Sequence, residues 1–293
     1  MKMRSMLFVP SDSERKLEVA GTSMADALIL DIEDSVAFGR KPIARQLAAT
    51  YLSDTCGRRT WQGYVRINPL TSSEALLDLA AVVGPGLDGI VLPKADGAED
   101  VIRLGAFLDA LEILAGMKQG TVQIVVVATE TAKSMLSLHS FASPLFRLAG
   151  MTWGAEDLSV ALGAVTNREQ NGQYSHAYLM ARSMCLFAAA AAETSAIDTL
   201  YANYRDGDGL ASDCGESRRR GFVGRLAIHP DQVECINRCY TPSAEDVALA
   251  QAIVDAFAVT PDIGTIGIDG KMYDRPHVLQ AMKTLAAAKI GST

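Results

Sequence analysis

A chain of 293 residues that is 49% hydrophobic and only 6% aromatic suits one large α/β domain with an appendage. Its net charge of −7 disfavours a broad attraction to nucleic acid or an anionic membrane. The basic start MKMRSMLFVP meets Ser11-Asp12-Ser13-Glu14-Arg15 too soon for a secretion signal, and no apolar run reaches membrane-spanning length, so a cytoplasmic protein is expected.

Short apolar runs alternate with helical stretches along the chain: MLFVP, DALILDIED, YVRINP, GIVLPK, IVVVATE, RLAGMTWG, DTLYAN and LAIHP. About eight strands with helices between them predict a parallel sheet. The polar residues near the strand ends are spaced 35 (Asp31 to Arg66), 28 (to Lys94), 36 (to Glu130) and 27 (to Asp157) residues apart. That beat fits the roughly 31 residues per unit of a (β/α)₈ TIM barrel. A doubly wound sheet is the alternative, but FVPSDSERK lacks the glycine-rich GxGxxG turn that usually serves it. The barrel is expected over residues 1–240, closing with the helix PDQVECINRCY. Residues 241–293 then form a helix–hairpin–helix extension. Ser243 and Asp246 make a capping-box pattern, and Val247, Ala250, Val254, Phe257 and Ala258 form one apolar face. An Asp269-Gly270 hairpin follows, and a last helix runs from Arg275. Some fifty residues rarely fold alone, so this tail is expected to dock on its own barrel or on a neighbouring subunit.

In such a barrel the C-terminal strand ends form the mouth, where sites are built. Glu130 and Asp157 are expected to close strands five and six. Two bare carboxylates on neighbouring strands, about 4.5 Å apart, repel by nearly 4 kcal/mol at an effective dielectric of 20. A shared proton or a cation offsets that repulsion, and oxygen-only ligands favour Mg²⁺ over zinc. The bland readings are an N-cap for Asp157 and an ion pair of Glu130 with Arg66 or Lys94. Strand two places Asp31 and Glu33 on one side, as direct ligands or as acids holding metal waters. Arg66 offers a fork for a carboxylate or a developing oxyanion, with a salt bridge to Glu33 as its plain alternative. Lys94 is a Schiff-base candidate only if its acidic neighbours leave it unprotonated, which they oppose. His229 reads as a structural hydrogen-bonding group. Arg218, Arg219 and Arg220 read as a solvated helix face. Five scattered cysteines, odd in number and without a CxxC pair, argue against a disulfide framework or structural zinc; Cys235 and Cys239, one turn apart, read as packing.

The motifs MLFVP, LILDIED, VRIN, VLPK, ATETA, WGAEDL, RDGDGL, GFVGRLAIHP and DGKMYDRPH occur in order. Together they resemble the citrate lyase β-subunit/malyl-CoA lyase family over almost the whole chain. The resemblance implies a (β/α)₈ barrel with a C-terminal extension and a homo-oligomer, trimeric or hexameric. It also implies Mg²⁺-dependent cleavage or formation of a carbon–carbon bond next to a thioester. Glu130 and Asp157 match the family's metal ligands, Arg66 its substrate-facing arginine, and Glu33 and Asp34 the acids around the metal waters. Where the family's pyruvate-aldolase branch carries a histidine base, this chain has Asp34. The tail's Lys271-Met272-Tyr273-Asp274 matches the motif whose aspartate reaches an adjacent subunit as acid or base. Backbone N–H groups at Gly154 and Ala155 suit a substrate carboxylate. The expected partners are an acyl-CoA thioester, with malyl-CoA and citramalyl-CoA foremost, and a small 2-oxo acid, glyoxylate or pyruvate. Alternatives are a citrate lyase β subunit acting on a carrier-bound citryl thioester, and a non-catalytic acyl-CoA-binding scaffold.

Overall fold

The computed structural model describes residues 3–259 and 263–291. They fall into two compact units, residues 3–237 and residues from 238 onward. In the first, eight parallel strands close in sequence order: β1 (Ser5–Pro10), β2 (Ala27–Asp31), β3 (Gln62–Arg66), β4 (Gly89–Leu92), β5 (Gln123–Val127), β6 (Leu148–Thr152), β7 (Ser195–Asp198) and β8 (Gly224–Ala227). β8 pairs back onto β1, so the (β/α)₈ barrel is complete. Between and after the strands lie α1 (Glu14–Gly21), α2 (Lys41–Thr55), α3 (Glu74–Val82), α4 (Ala98–Leu114), α5 (Ala132–Ser137), α6 (Ala155–Leu162), α7 (His176–Ala191), α8 (Gly207–Arg220) and α9 (Val233–Tyr240). No helix among the described residues is long and apolar enough to cross a membrane.

Strands buried on both faces need apolar side chains at nearly every position, which is why the runs read as continuous Val, Ile and Leu. Inside the barrel, Met6, Ala27, Ile29, Tyr64, Val91, Val125, Val127, Ile197 and Leu226 pack in one cluster. Side chains alternate along a strand. Ile29 facing inward therefore brings Asp31 inward at the C-terminal end of β2, and Tyr64 does the same for Arg66 on β3. The register sets Asp31 directly opposite Arg66. Core packing thus aims a carboxylate and a guanidinium at each other where the strands end.

The seventh strand departs from the expected DTLYAN. It is Ser195–Asp198, and residues 199–203 lie beyond its end. A buried polar network fixes the boundary. Asp198 is fully buried and accepts hydrogen bonds from Trp153 Nε1 at 2.6 Å and Arg225 Nη2 at 2.8 Å, with Arg182 also donating to it. Its carboxyl is held below the usual range: burial opposes ionisation, but the two guanidinium charges and these hydrogen bonds outweigh it.

The second unit contains α10 (Ala244–Val259), the antiparallel strands β9 (Thr265–Ile268) and β10 (Lys271–Asp274), and α11 (Arg275–Gly291). The capping box at its start is formed in both directions: Asp246 N–H donates to Ser243 Oγ, and Ser243 N–H to Asp246 Oδ2, each at 3.0 Å. Asp269 and Gly270 both take positive φ, +48° and +76°, as a two-residue hairpin turn requires. Ala250, Val254 and Phe257 join the small core as expected. Ile253 is buried there too, while Ala258 is exposed, because one residue past Phe257 rotates the helix about 100° away from that stripe.

Candidate active site at the barrel mouth

The mouth is organised around two cations. Arg66 Nε and Nη2 donate to Asp31 Oδ1 and Oδ2 at 2.7 and 2.6 Å, a fork-to-fork pair, and Nη1 lies 3.1 Å from Glu33 Oε2. The plain reading of Arg66, a salt bridge to Glu33, is present, and only two of its five N–H donors are spent on Asp31. The guanidinium also stacks over Phe8 of β1, 4.7 Å from the ring centroid. Asp31 is almost completely buried. Desolvation pushes its carboxyl up, but the hydrogen bonds and charge of Arg66 hold it below the usual range. Glu33 is equally buried, and there desolvation wins, raising its carboxyl despite Arg66 and Lys94.

Lys94 is the second cation. It follows β4 with φ +50°, a left-handed conformation that costs a residue with a Cβ about 1–2 kcal/mol. This backbone turn gives the residue two contacts at once. Its N–H donates to Glu130 Oε2 at 2.5 Å, while its Nζ pairs with Glu33, with Asp34 at 2.9 Å and with Asp157 at 3.3 Å. The ammonium is held well above its ordinary range: desolvation opposes the shift, and the hydrogen bonds it donates to Glu33 and Asp34 overcome it. Such an amine is no Schiff-base nucleophile.

Neither Glu130 nor Asp157 ends a strand as expected. β5 stops at Val127 and Glu130 lies three residues beyond it, whereas Asp157 is in the first turn of α6, five residues past the end of β6. Just past β5 the Ala128 N–H still donates to the Thr152 carbonyl at 2.8 Å, and buried Thr129 accepts the Gly154 N–H on its Oγ1 at 3.3 Å. The amide assigned to a substrate carboxylate is therefore already paired, which leaves Ala155 as that reading's remaining donor. Gly154 has another task. A Cβ at this position would lie 2.7 Å from Glu130 Cγ and 3.2 Å from Oε1, so only glycine lets the carboxyl settle against the start of α6. Buried there, Glu130 is pushed up to about 8, first by desolvation and next by the charge of Asp157.

Five carboxyls (Asp31, Glu33, Asp34, Glu130, Asp157) face two cations (Arg66, Lys94), a surplus of three negative charges when all are ionised. The donor set is oxygen only, one member is a carboxyl whose ionisation is opposed first by burial and next by Asp157, and the space beside it is one a Cβ would fill. These features fit a hard divalent cation such as Mg²⁺. Among the described residues no three His, Cys, Asp or Glu side chains are already grouped around a metal position; the acids converge on Lys94 instead.

The remaining candidates are placed elsewhere. His229 caps the short turn Pro230–Gln232, accepting the Asp231 N–H at 3.2 Å, and its ring stacks on Tyr204 at 4.6 Å, a structural role. Arg218, Arg219 and Arg220 form the last turn of α8, the latter two exposed. No disulfide forms among the described residues, and Cys235 and Cys239 are half-buried. In the second unit, Asp274 ends β10 with Oδ1 2.5 Å from His277 Nδ1. His277, three residues on at the start of α11, was not singled out from the sequence, although helical spacing makes it a neighbour. Gly154's role and the left-handed turn at Lys94 were missed as well.

Residues 4–230 match the HpcH/HpaI aldolase/citrate lyase family. The citrate lyase subunit beta of Haemophilus influenzae is 33% identical over 99% of this chain and 99% of its own. A (3S)-malyl-CoA thioesterase of Cereibacter sphaeroides is also 33% identical, over 98% of this chain and 94% of its own. Among solved structures, CitE from Mycobacterium tuberculosis in complex with magnesium, acetoacetate and coenzyme A is similar with a TM-score of 0.76, 32% identity and 98% of each chain covered. The citrate lyase beta subunit of M. tuberculosis complexed with oxaloacetate and magnesium gives a TM-score of 0.67 at 32% identity, covering 82% of this chain and 98% of that one.

Proposed function

The chain belongs to the HpcH/HpaI aldolase/citrate lyase family, and from that premise we propose that it is a cytoplasmic, Mg²⁺-dependent lyase that cleaves a β-hydroxy acyl-CoA thioester, citramalyl-CoA or malyl-CoA. The products are acetyl-CoA, or another acyl-CoA, and pyruvate or glyoxylate. One observation carries the reading: Glu130 is buried beside Asp157 in an acidic, oxygen-only mouth that needs more positive charge than Arg66 and Lys94 provide. Relatives crystallised with magnesium and with oxaloacetate or coenzyme A support it.

Glu130 and Asp157 are the side chains that would hold the ion, which supplies a Lewis acid for the substrate's oxygens. Cleavage breaks the bond between the hydroxyl-bearing carbon and the carbon next to the thioester. The hydroxyl passes its proton to solvent beside Glu33 and Asp34 and becomes the oxo group, and the bonding pair passes to the thioester as an enolate. Arg66, with N–H donors beyond those used on Asp31, stabilises the enolate oxygen. Glu33 and Asp34 would order solvent beside a bound ion, and the backbone N–H of Ala155, at the start of α6, receives the substrate carboxylate. Asp274, supplied by a neighbouring copy in a trimer or hexamer, protonates the enolate or, in condensation, generates it.

The thioesterase relative favours a second reading in which the thioester itself is hydrolysed. Incubating the purified chain with malyl-CoA and citramalyl-CoA, with Mg²⁺ or with EDTA, separates the two. Lyase action releases an oxo acid and acyl-CoA, lost in EDTA; hydrolysis releases free CoA thiol and no oxo acid. Activity only with a citryl carrier protein and partner subunits would point to a citrate lyase β subunit, and none under any condition to a scaffold.

A further inference from the structure

We propose that Lys94 is the resident counter-cation of the mouth: it holds the carboxylates together in the metal-free protein, and its contact with Asp157 gives way when a divalent ion enters. This rests on the reading of Glu130 and Asp157 as the residues that hold that ion.

Three observations lead here. First, one residue touches four acids, Glu130 through its backbone N–H and Glu33, Asp34 and Asp157 through its ammonium. Second, it does so from a left-handed backbone conformation that, among the described non-glycine residues, only Glu193 and Asp269 share. Asp269 has its hairpin turn to account for the conformation, and Glu193 follows the end of α7. Lys94 has neither setting, and what its conformation achieves is the simultaneous aim of amide and side chain at the acids. Third, the three ammonium contacts are unequal. The contact to Asp157 is the longest, at 3.3 Å, and is made to one oxygen of a side chain that is 31% exposed. Glu33, by contrast, is buried and paired with Arg66 as well. Asp34 is more exposed, at 59%, but its contact is shorter, at 2.9 Å; by length Asp157 is the partner that exchanges most easily, and Lys94 keeps Glu33 and Asp34 after the exchange.

A purely structural salt bridge predicts the opposite of a counter-cation. If Lys94 only braced the acids into shape, removing it would splay them and weaken metal uptake. If it stands in for the ion, removing it deletes a competing charge and strengthens uptake.

The test is Mg²⁺ titration by calorimetry of the full chain as wild type, Lys94→Met, Lys94→Gln and Lys94→Arg, with thermal melting in EDTA and in Mg²⁺. The neutral variants are expected to melt lower than wild type in EDTA, to recover more on adding Mg²⁺, and to bind it about tenfold or more tightly. Lys94→Arg should stay close to wild type in both. Lys94→Gln carries the same expectation should Lys94→Met fail to fold without metal. Neutral variants that bind Mg²⁺ no more tightly than a wild type that does bind it would overturn this inference alone. A wild type that takes up no Mg²⁺ would overturn the proposed function, and this inference with it.

Discussion

Glu130 makes the metal-free protein pay attention to pH in a direction unusual for a carboxylate. Its folded pKa is raised from 4.5 to about 8. Between those values the folded state binds more protons at this site than the unfolded chain does. The stability tied to the site is therefore complete below about pH 4.5, declines as pH rises to about 8 and changes no further above that. The shift is worth about 5 kcal/mol, a large share of the 5–15 kcal/mol that keeps a typical domain folded. Glu130→Gln replaces the titrating carboxyl with a neutral amide of the same shape. In EDTA, the variant's stability relative to wild type should increase by several kcal/mol between pH 5 and pH 8.5. Urea denaturation across that range measures the change, and comparing the two pH values cancels any pH-independent effect of the substitution. Saturating Mg²⁺ should stabilise wild type at pH 8 and leave the variant little changed, because the ion favours the ionised carboxyl. Mg²⁺ affinity should likewise rise from pH 6 to about 8 and then level off, with a proton released on binding. Parallel stability profiles for wild type and Glu130→Gln in EDTA would refute the reasoning, since they would mean that the carboxyl ionises as easily inside the fold as outside.

Gly154→Ala places a methyl 2.7 Å from Glu130 Cγ, so one of the two must move; melting should fall by the equivalent of about 1–3 kcal/mol, with weaker Mg²⁺ binding by calorimetry. Unchanged affinity would show that Glu130 is not held against α6 when the ion binds. Asp274→Asn should leave melting and Mg²⁺ affinity as they are while lowering turnover about 10²–10⁴-fold, and near-normal turnover would remove this residue from the proposed mechanism.

The barrel was legible because its cause is local and repeated: each unit needs a short run buried on both faces, and the polar punctuation between runs keeps the count. The seventh strand was misplaced because DTLYAN looks as apolar as SAID. What ends the strand at Asp198 is a network with Arg182, Trp153 and Arg225, residues distant in sequence. Asp31 and Arg66 were readable from alternation alone, since one inward neighbour on each strand fixes their side. Glu130 and Asp157 were identified as a pair, yet their position past the strand ends was not, because a strand's apolar run does not reveal where its ladder of hydrogen bonds stops. Lys94 shows the limit most clearly. Nothing in VLPKAD announces a left-handed lysine, for the acids it meets in that conformation arrive from three other segments of the chain.

The charged groups of the mouth all come from one continuous arc of the wall, the segments from β2 through α6. The loops after β7 and β8 contribute none of them, and Tyr204 lying flat on His229 ties those two loops to each other. The ion pairs described for this mouth thus lie on one side of the ring, and the stacked loops after β7 and β8 on the other. Exchanging residues in the loops after β7 and β8, or lengthening those loops, is therefore expected to leave the contacts of Arg66 and Lys94 intact.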